Sequence, residues 1–396
     1  MPTERTPVII DIKGLQVLVD VLIEQGNEVF GPQVIDDVIA IRPLTSVDQL
    51  PAGWTDDQGA GRYRLHNDHS HGRFGYAVGP QAWKPLLHEP TLHTLSMTQS
   101  HAADPVEVHV TATRKGRRAF LGVRPCELEA IVRLDTVLLR GPNVDRAYRS
   151  ARSDLMLIVV NCTVPASTCF CTAMNTGPRV SENVTIHDLE ITELVNEHDG
   201  GPRYVVTPAS RQGAEILDVL GSRTSTVAMT NQDALDIEAG FRRAESSIER
   251  HVDTKELHDV MIASSENALW AELADRCLAC GNCTAVCPTC FCTSVNEITD
   301  LSGTTTERWR HWDSCFSLEF SRVGNAPVRS SVASRYRHWL THKLGTWHDQ
   351  FDESGCVGCG RCITWCPVGI DLTAEIPALR TAALSGGDSR PASGDQ

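Results

Sequence analysis

Two cysteine runs carry the chemistry this sequence offers most plainly. Cys277-Leu-Ala-Cys280-Gly-Asn-Cys283-Thr-Ala-Val-Cys287-Pro288 returns with the same spacing as Cys356-Val-Gly-Cys359-Gly-Arg-Cys362-Ile-Thr-Trp-Cys366-Pro367. Three thiolates at this pitch let one loop wrap a corner of an iron–sulfur cube, while a fourth, set past a further turn and stopped by proline, reaches a neighbouring cube. The spacing predicts two [4Fe-4S] clusters that exchange their fourth ligands. One would be held by Cys277, Cys280, Cys283 and Cys366, the other by Cys356, Cys359, Cys362 and Cys287. Structural zinc is the competing reading, but zinc sites favour two cysteine pairs across a long gap rather than four cysteines in one run. Paired clusters without an adjacent nucleophile favour electron relay over catalysis, so no catalytic residue is assigned.

A second set of cysteines lies upstream. Cys126 follows the apolar run ending at Val123, at the start of a helix, and Cys162 follows the apolar run ending at Val160. Both fall beyond the carboxyl ends of strands, where open α/β sheets bind ligands, and a helix N-terminus favours a thiolate. Cys169 and Cys171, in Thr168-Cys-Phe-Cys-Thr172, complete a candidate set of four for a third [4Fe-4S] cluster; reduced structural thiols are the alternative. Cys290, Cys292 and Cys315 are not needed for any complete set and are expected to line the cluster surroundings. His66, His69 and His71 are read as an exposed polar loop rather than a metal site.

The elements that must position these residues divide the chain. Leu15, Leu18, Val19, Leu22 and Ile23 share a helical face before Gly26, predicting a helix over 14–25. Residues 28–42 read as strand. Val106, Val108 and Val110 alternate with Glu107 and His109 as a half-buried strand, and Lys115-Gly116-Arg117 turns into a strand over 119–123 that is apolar on both faces. A helix over 127–139, a strand over 155–160, a strand near 204–206 and a helix over 209–220 complete an N-terminal α/β (or α+β) domain, 1–245. From about 255 strand signals vanish and six of the eight tryptophans appear, predicting a mostly helical, ferredoxin-like domain over 246–383 that carries the two cluster loops. There, Ser264 or Ser265 is expected to cap a helix through Trp270 to Arg276. A further helix is expected over 331–350, its charged stretch 335–348 a solvated or docking face. The late tryptophans are expected in the core, shielding clusters from water. The Ser, Gly, Asp and Pro-rich tail 384–396 is expected to be disordered.

Composition bounds the rest. At 396 residues the chain can bury a large core without disulfides, so its 15 cysteines, an odd number and tightly bunched, argue for ligands. The N-terminal segment MPTERTPVIIDIKG has no apolar stretch of signal-peptide type, which with the cysteines predicts a reducing, cytoplasmic setting. A net charge of −14 argues against nucleic acid as a partner, and no apolar run approaches the roughly 20 residues of a membrane helix.

With these motifs in place, a family resemblance emerges. Phe120-Leu-Gly-Val-Arg-Pro-Cys-Glu-Leu128, Asn161-Cys162 through Cys169-Phe-Cys171 to Thr176-Gly-Pro178, Trp312-Asp-Ser-Cys-Phe316, and Gly355 through Asp371 together resemble the β subunit of cytoplasmic [NiFe] hydrogenases of the NAD(P)-linked sulfhydrogenase type. A related subunit occurs in anaerobic sulfite reductases. The resemblance implies a heterotetramer: a nickel–iron large subunit, a small subunit with further clusters, a flavin subunit handling NAD(P)H, and this chain as a non-catalytic relay within an H2:NAD(P)+ oxidoreductase. The chain shows neither paired nickel-binding C-x-x-C motifs near its ends nor a convincing Gly-rich dinucleotide turn, in agreement with a relay role. The alternatives are the equivalent subunit of a sulfite or sulfur reductase, and an iron–sulfur structural or regulatory protein that transfers no electrons. Two mutually tied clusters weigh against the last.

Overall fold

The computed structural model describes residues 6–99, 101, 103–111, 116–195 and 201–385. The N-terminal half is built on an eight-stranded mixed sheet in the spatial order Val227–Ala228, Val8–Ile10, Arg203–Pro208, Leu189–Leu194, Leu155–Val160, Arg117–Val123, Asn27–Ile35, Val38–Pro43. Its four central strands, from Leu189–Leu194 to Asn27–Ile35, run parallel. The outer strands are antiparallel. Strands covered on both faces read as continuous apolar runs, and Leu-Met-Leu-Ile-Val-Val over 155–160 is buried at every position. Alternation divides that run between two cores. Met156, Ile158 and Val160 pack with Leu15, Leu18 and Leu22 of the helix Ile12–Glu24, whose N-terminus Asp11 caps by accepting from the Gly14 N–H. Leu155, Leu157 and Val159 join Phe120, Leu128, Ile131 and Leu134 on the other face, beneath the helix Pro125–Leu139.

Phe120 is the hub of that second core. It is fully buried, stacks on Trp83 with ring centroids 4.7 Å apart and meets Phe30 edge-on at 6.0 Å. Phe120→Ala is expected to cost about 3–5 kcal/mol through lost burial and an unfilled cavity. A urea unfolding midpoint that drops while the slope stays constant would show it.

Several expectations need correction. The valines at 106, 108 and 110 are exposed, at 52, 55 and 67 %, so the strand Glu107–Val110 is not half-buried: it is an edge strand of a second sheet, exposed at every position. That sheet also overturns the strand-free reading of the region after 255. Thr293–Thr299 and Thr305–Trp312 form a hairpin that pairs with Thr91–Thr98, so the late segment contributes two of four strands to a sheet shared with the N-terminal half. Polar residues fill most positions and the few apolar ones, Val295 and Ile298, Trp309 and Trp312, stand three apart rather than alternating, which left this hairpin without a strand signature. The helix expected from Ser264 or Ser265 starts later, at Leu269–Arg276, from Ala268 with no side-chain cap; Ser264 is instead the C-cap of the preceding helix Leu257–Ala263. The segment expected as one helix over 331–350 runs as Val332–Thr341, a π-turn over His342–Thr346 and Trp347–Phe351, with Ser331 accepting from the Ser334 N–H. The helix Leu372–Ser385 extends into the expected tail, whose remainder from 386, like Lys115 of the expected turn, lies outside the described residues. Among the described residues no helix is long and apolar enough to cross a membrane.

The joint between the second sheet and the main body contains a buried histidine. His88 accepts a 2.7 Å hydrogen bond at Nδ1 from Trp312 Nε1, and burial, with Arg310 nearby, lowers its pKa to about 4. The unfolded chain takes up this proton below about pH 6.5 and the folded chain only near pH 4. Stability is therefore expected to fall as pH drops through that window, by at most about 3 kcal/mol from this residue. In denaturant midpoints compared at about pH 7 and about pH 5, His88→Gln should show the shallower decline.

Candidate metal centres

The two cluster-type runs fold as copies of one loop. In each, the chain passes through a left-handed residue after the first cysteine (Ala279, φ 50°; Gly358, φ 62°) and another after the second (Gly281 and Gly360, both φ 73°) before a single helical turn, Asn282–Ala285 or Arg361–Thr364. This path turns backbone N–H groups toward sulfur. Ala279 N donates to Cys277 Sγ and Gly358 N to Cys356 Sγ, each at 3.4 Å, and Ile370 N donates to Cys366 Sγ at 3.3 Å. Such N–H···S contacts favour the charged thiolate over the thiol.

The structure gathers the cysteines into three quartets. Cys277, Cys280 and Cys283 from the first loop meet Cys366 from the second around a pocket walled by Phe316, Tyr336 and Trp339, which Cys362 also borders. Cys356, Cys359 and Cys362 meet Cys287 around another, walled by Phe170, Trp339 and Lys343. Trp339 and Cys362 border both pockets. Cys126, Cys162, Cys169 and Cys171 surround a third pocket, closed by Ala77, Val78, Pro125, Pro165 and Pro178. The carboxyl ends of adjacent parallel strands, Arg117–Val123 and Leu155–Val160, place Cys126 and Cys162 there. Arg124 fixes those ends, donating to the carbonyls of Phe74 and Tyr76 at 2.7 Å and of Asn161 at 3.0 Å.

The second and third pockets share a wall of backbone. Phe170 N donates to Gly358 O at 2.8 Å, and Thr176 Oγ1 donates to Val357 O at 2.6 Å. A Cβ on Gly358 would fall 2.6 Å from Phe170 O, and one on Gly360 2.4 Å from Thr168 O, so only glycine lets the loops approach this closely. Gln58 ties the same joint, its Oε1 accepting from Thr364 Oγ1 at 2.8 Å.

Four sulfurs facing one apolar pocket suit an iron–sulfur cube. Without a metal those thiols are held protonated: burial pushes Cys356 up to about 11 and Cys171 up to about 12, and raises Cys126, Cys169 and Cys362 well above the ordinary value. A group of thiols that cannot ionise alone gives up its protons to water when one cation binds the sulfurs together. Cys287 runs the other way. A hydrogen bond with Cys290 and the cation of Lys343 hold its pKa well below the ordinary value, with Lys343 Nζ 3.3 Å from Cys287 Sγ.

Some of this lay beyond sequence reasoning. The stretch 335–348 is not a purely solvated face: Arg335 and Lys343 are buried, and Lys343 also donates to Thr289 Oγ1 at 2.9 Å and Gly355 O at 3.2 Å. A lysine one helical turn below Trp339 and Leu340 was the available signal. Of the tryptophans after 255, Trp270, Trp339 and Trp347 are core, whereas Trp309 and Trp312 sit in the second sheet. Cys290 and Cys292 line a cavity of about 270 Å³ with Cys280, Lys84, Trp312 and Asp313, and the neighbouring Cys315 thiol holds the Cys292 pKa down, to about 7. Lys84 is buried, donates to Cys290 O at 3.1 Å and lies 3.9 Å from the centre of the Trp312 ring. His66, His69 and His71 are exposed and gather no metal-binding group among the described residues.

Comparison with known proteins agrees with this chemistry. Residues 276–370 match the 4Fe-4S dicluster domain family. The chain is also similar to sulfhydrogenase 2 subunit beta of Pyrococcus furiosus, with 28 % identity over 271 residues, spanning 68 % of this chain and 76 % of that protein.

Proposed function

We infer that this chain, an iron–sulfur protein like the β subunits of hydrogenases, is the electron-transfer subunit of a hydrogenase complex. Its 246–383 unit would hold two [4Fe-4S] clusters by crossed ligation, through Cys277, Cys280, Cys283 and Cys366 and through Cys356, Cys359, Cys362 and Cys287. A third would sit in the 1–245 unit, on Cys126, Cys162, Cys169 and Cys171. Clusters of this kind supply one-electron transfer at potentials set by hydrogen bonds and burial. The chain's own residues exclude water, aim N–H groups at sulfur and fix the spacing between sites.

The observation that carries the reading is the succession of the three quartets. The second shares Trp339 with the first and a wall of backbone with the third, so they line up as a relay. The first quartet reaches the surface, where Cys280 and Leu278 are exposed, giving the relay an outlet. We place it between a nickel–iron module of large and small subunits and a flavin subunit that handles NAD(P)H, in the cytoplasm.

Anaerobic purification with bound partners tests the proposal. Iron analysis should give about 12 atoms per chain for three cubes, against about 8 for two. The complex should reduce NAD(P)+ with H2. A complex containing sirohaem and no nickel would overturn the hydrogenase assignment in favour of a sulfite reductase, while leaving the cluster assignment standing.

A further inference from the structure

Between the second and third quartets lies a buried ion pair that the relay reading does not use. Arg361 stands between Cys359 and Cys362 and is 1 % exposed; Glu127 directly follows Cys126 and is 5 % exposed. Arg361 Nη2 lies 2.5 Å from Glu127 Oε1, and Nε donates to Gly79 O at 2.8 Å. Its third nitrogen, Nη1, is buried without an oxygen or nitrogen partner. The Arg361 cation lies close enough to Cys359 to offset part of the rise that burial imposes on that thiol's pKa. Glu127 is tied from the opposite side, its Oε2 accepting from Trp83 Nε1 at 3.0 Å and from Arg124 N at 3.2 Å.

Stability is a weak explanation for such a pair. Desolvating two charges costs about as much as their attraction returns, and apolar replacements of similar volume are often neutral. What the pair does supply is a fixed dipole in a low-dielectric gap. Its positive end, Arg361, stands two residues from Cys359 in the loop of the second quartet, and its negative end, Glu127, directly follows Cys126 of the third. Adding an electron to a cluster adds negative charge, which a neighbouring cation favours and a neighbouring carboxylate opposes.

We propose that Arg361 and Glu127 are positioning residues whose oriented dipole makes the Cys356-centred cluster easier to reduce and the Cys126-centred cluster harder, so that electrons run downhill from the third site to the second. This rests on the third cluster proposed above.

The test is a redox titration followed by electron paramagnetic resonance on the anaerobically purified, cluster-loaded protein with its partners. Cys287→Ala, which lacks the Cys356-centred cluster, assigns the signals. Arg361→Gln should lower the reduction equilibrium of the Cys356-centred cluster at least tenfold, ~59 mV for one electron. Glu127→Gln should raise that of the Cys126-centred cluster by a similar factor, and the Cys277-centred cluster should not move in either variant. Should a single variant fail to fold, the double Arg361→Gln, Glu127→Gln variant removes both charges together and should show both opposed shifts at once. Full iron content with unmoved potentials in the single variants, or a double variant whose two clusters shift in the same direction, would overturn the dipole proposal alone. Wild-type protein with about 8 iron atoms per chain would overturn the third cluster, and this proposal with it.

Discussion

Replacing Cys287 with alanine is expected to remove the cluster centred on Cys356, Cys359 and Cys362 while leaving the cluster of its own loop in place. Cys287 belongs by sequence to the first run, yet its sulfur lines the pocket of the second quartet, beside Lys343. Iron should fall by about four atoms per chain, and one set of paramagnetic signals should vanish. The reciprocal change, Cys366→Ala, should delete the cluster on Cys277, Cys280 and Cys283, because Cys366 lines that pocket. Loss of each variant's own loop cluster instead would show that ligation is not crossed. The effect should also reach the fold, since metal binding and folding are one equilibrium when a site has no stable empty form.

The second large effect separates two glycines with the same backbone. Gly281 and Gly360 occupy equivalent loop positions at φ 73°, so alanine at either carries the left-handed penalty of about 1–2 kcal/mol. Their surroundings differ. A Cβ on Gly281 meets side-chain atoms, Ser314 Oγ at 3.0 Å and Cβ at 3.2 Å and Thr284 Oγ1 at 3.8 Å, so small shifts of a few tenths of an ångström admit it. A Cβ on Gly360 would lie 2.4 Å from Thr168 O and 2.6 Å from Thr168 C, backbone atoms of the loop that carries Cys169. Gly360→Ala should therefore add overpacking, for a total of about 2–5 kcal/mol, and loosen the third quartet together with the second. Thermal unfolding of the two variants side by side should show Gly360→Ala much the weaker, with iron lost from two sites. Equal destabilisation would mean that the loops are not in this register.

The buried cations form a consistent pattern around the sulfur sites. Arg124 binds the Val160 and Asn161 carbonyls at a strand end, Arg361 bridges the second and third quartets, and Lys343 and Lys84 stand near Cys287 and Cys290. In a chain of net charge −14, these cations are held where iron–sulfur cubes with four thiolates would concentrate negative charge.

What the sequence determined by itself was local. Four cysteines at fixed pitch followed by proline specify a loop, because ligand spacing of a few residues is set by the backbone and needs no partner from elsewhere in the chain. The same holds for the fully apolar strand Leu155–Val160 and for the helix starting at Pro125, where burial and the Pro at the first turn are written in consecutive residues. What only the tertiary structure decided was which loops meet. The joint at Gly358, Gly360, Phe170 and Thr168, the pairing of Thr305–Trp312 with Thr91–Thr98, and the Arg361–Glu127 bridge link residues about two hundred positions apart in the chain. Contacts of that range leave no periodicity and no spacing. A glycine, an arginine or a polar strand reads the same in sequence whether it faces water or another loop, and the packing of the chain against itself makes the difference.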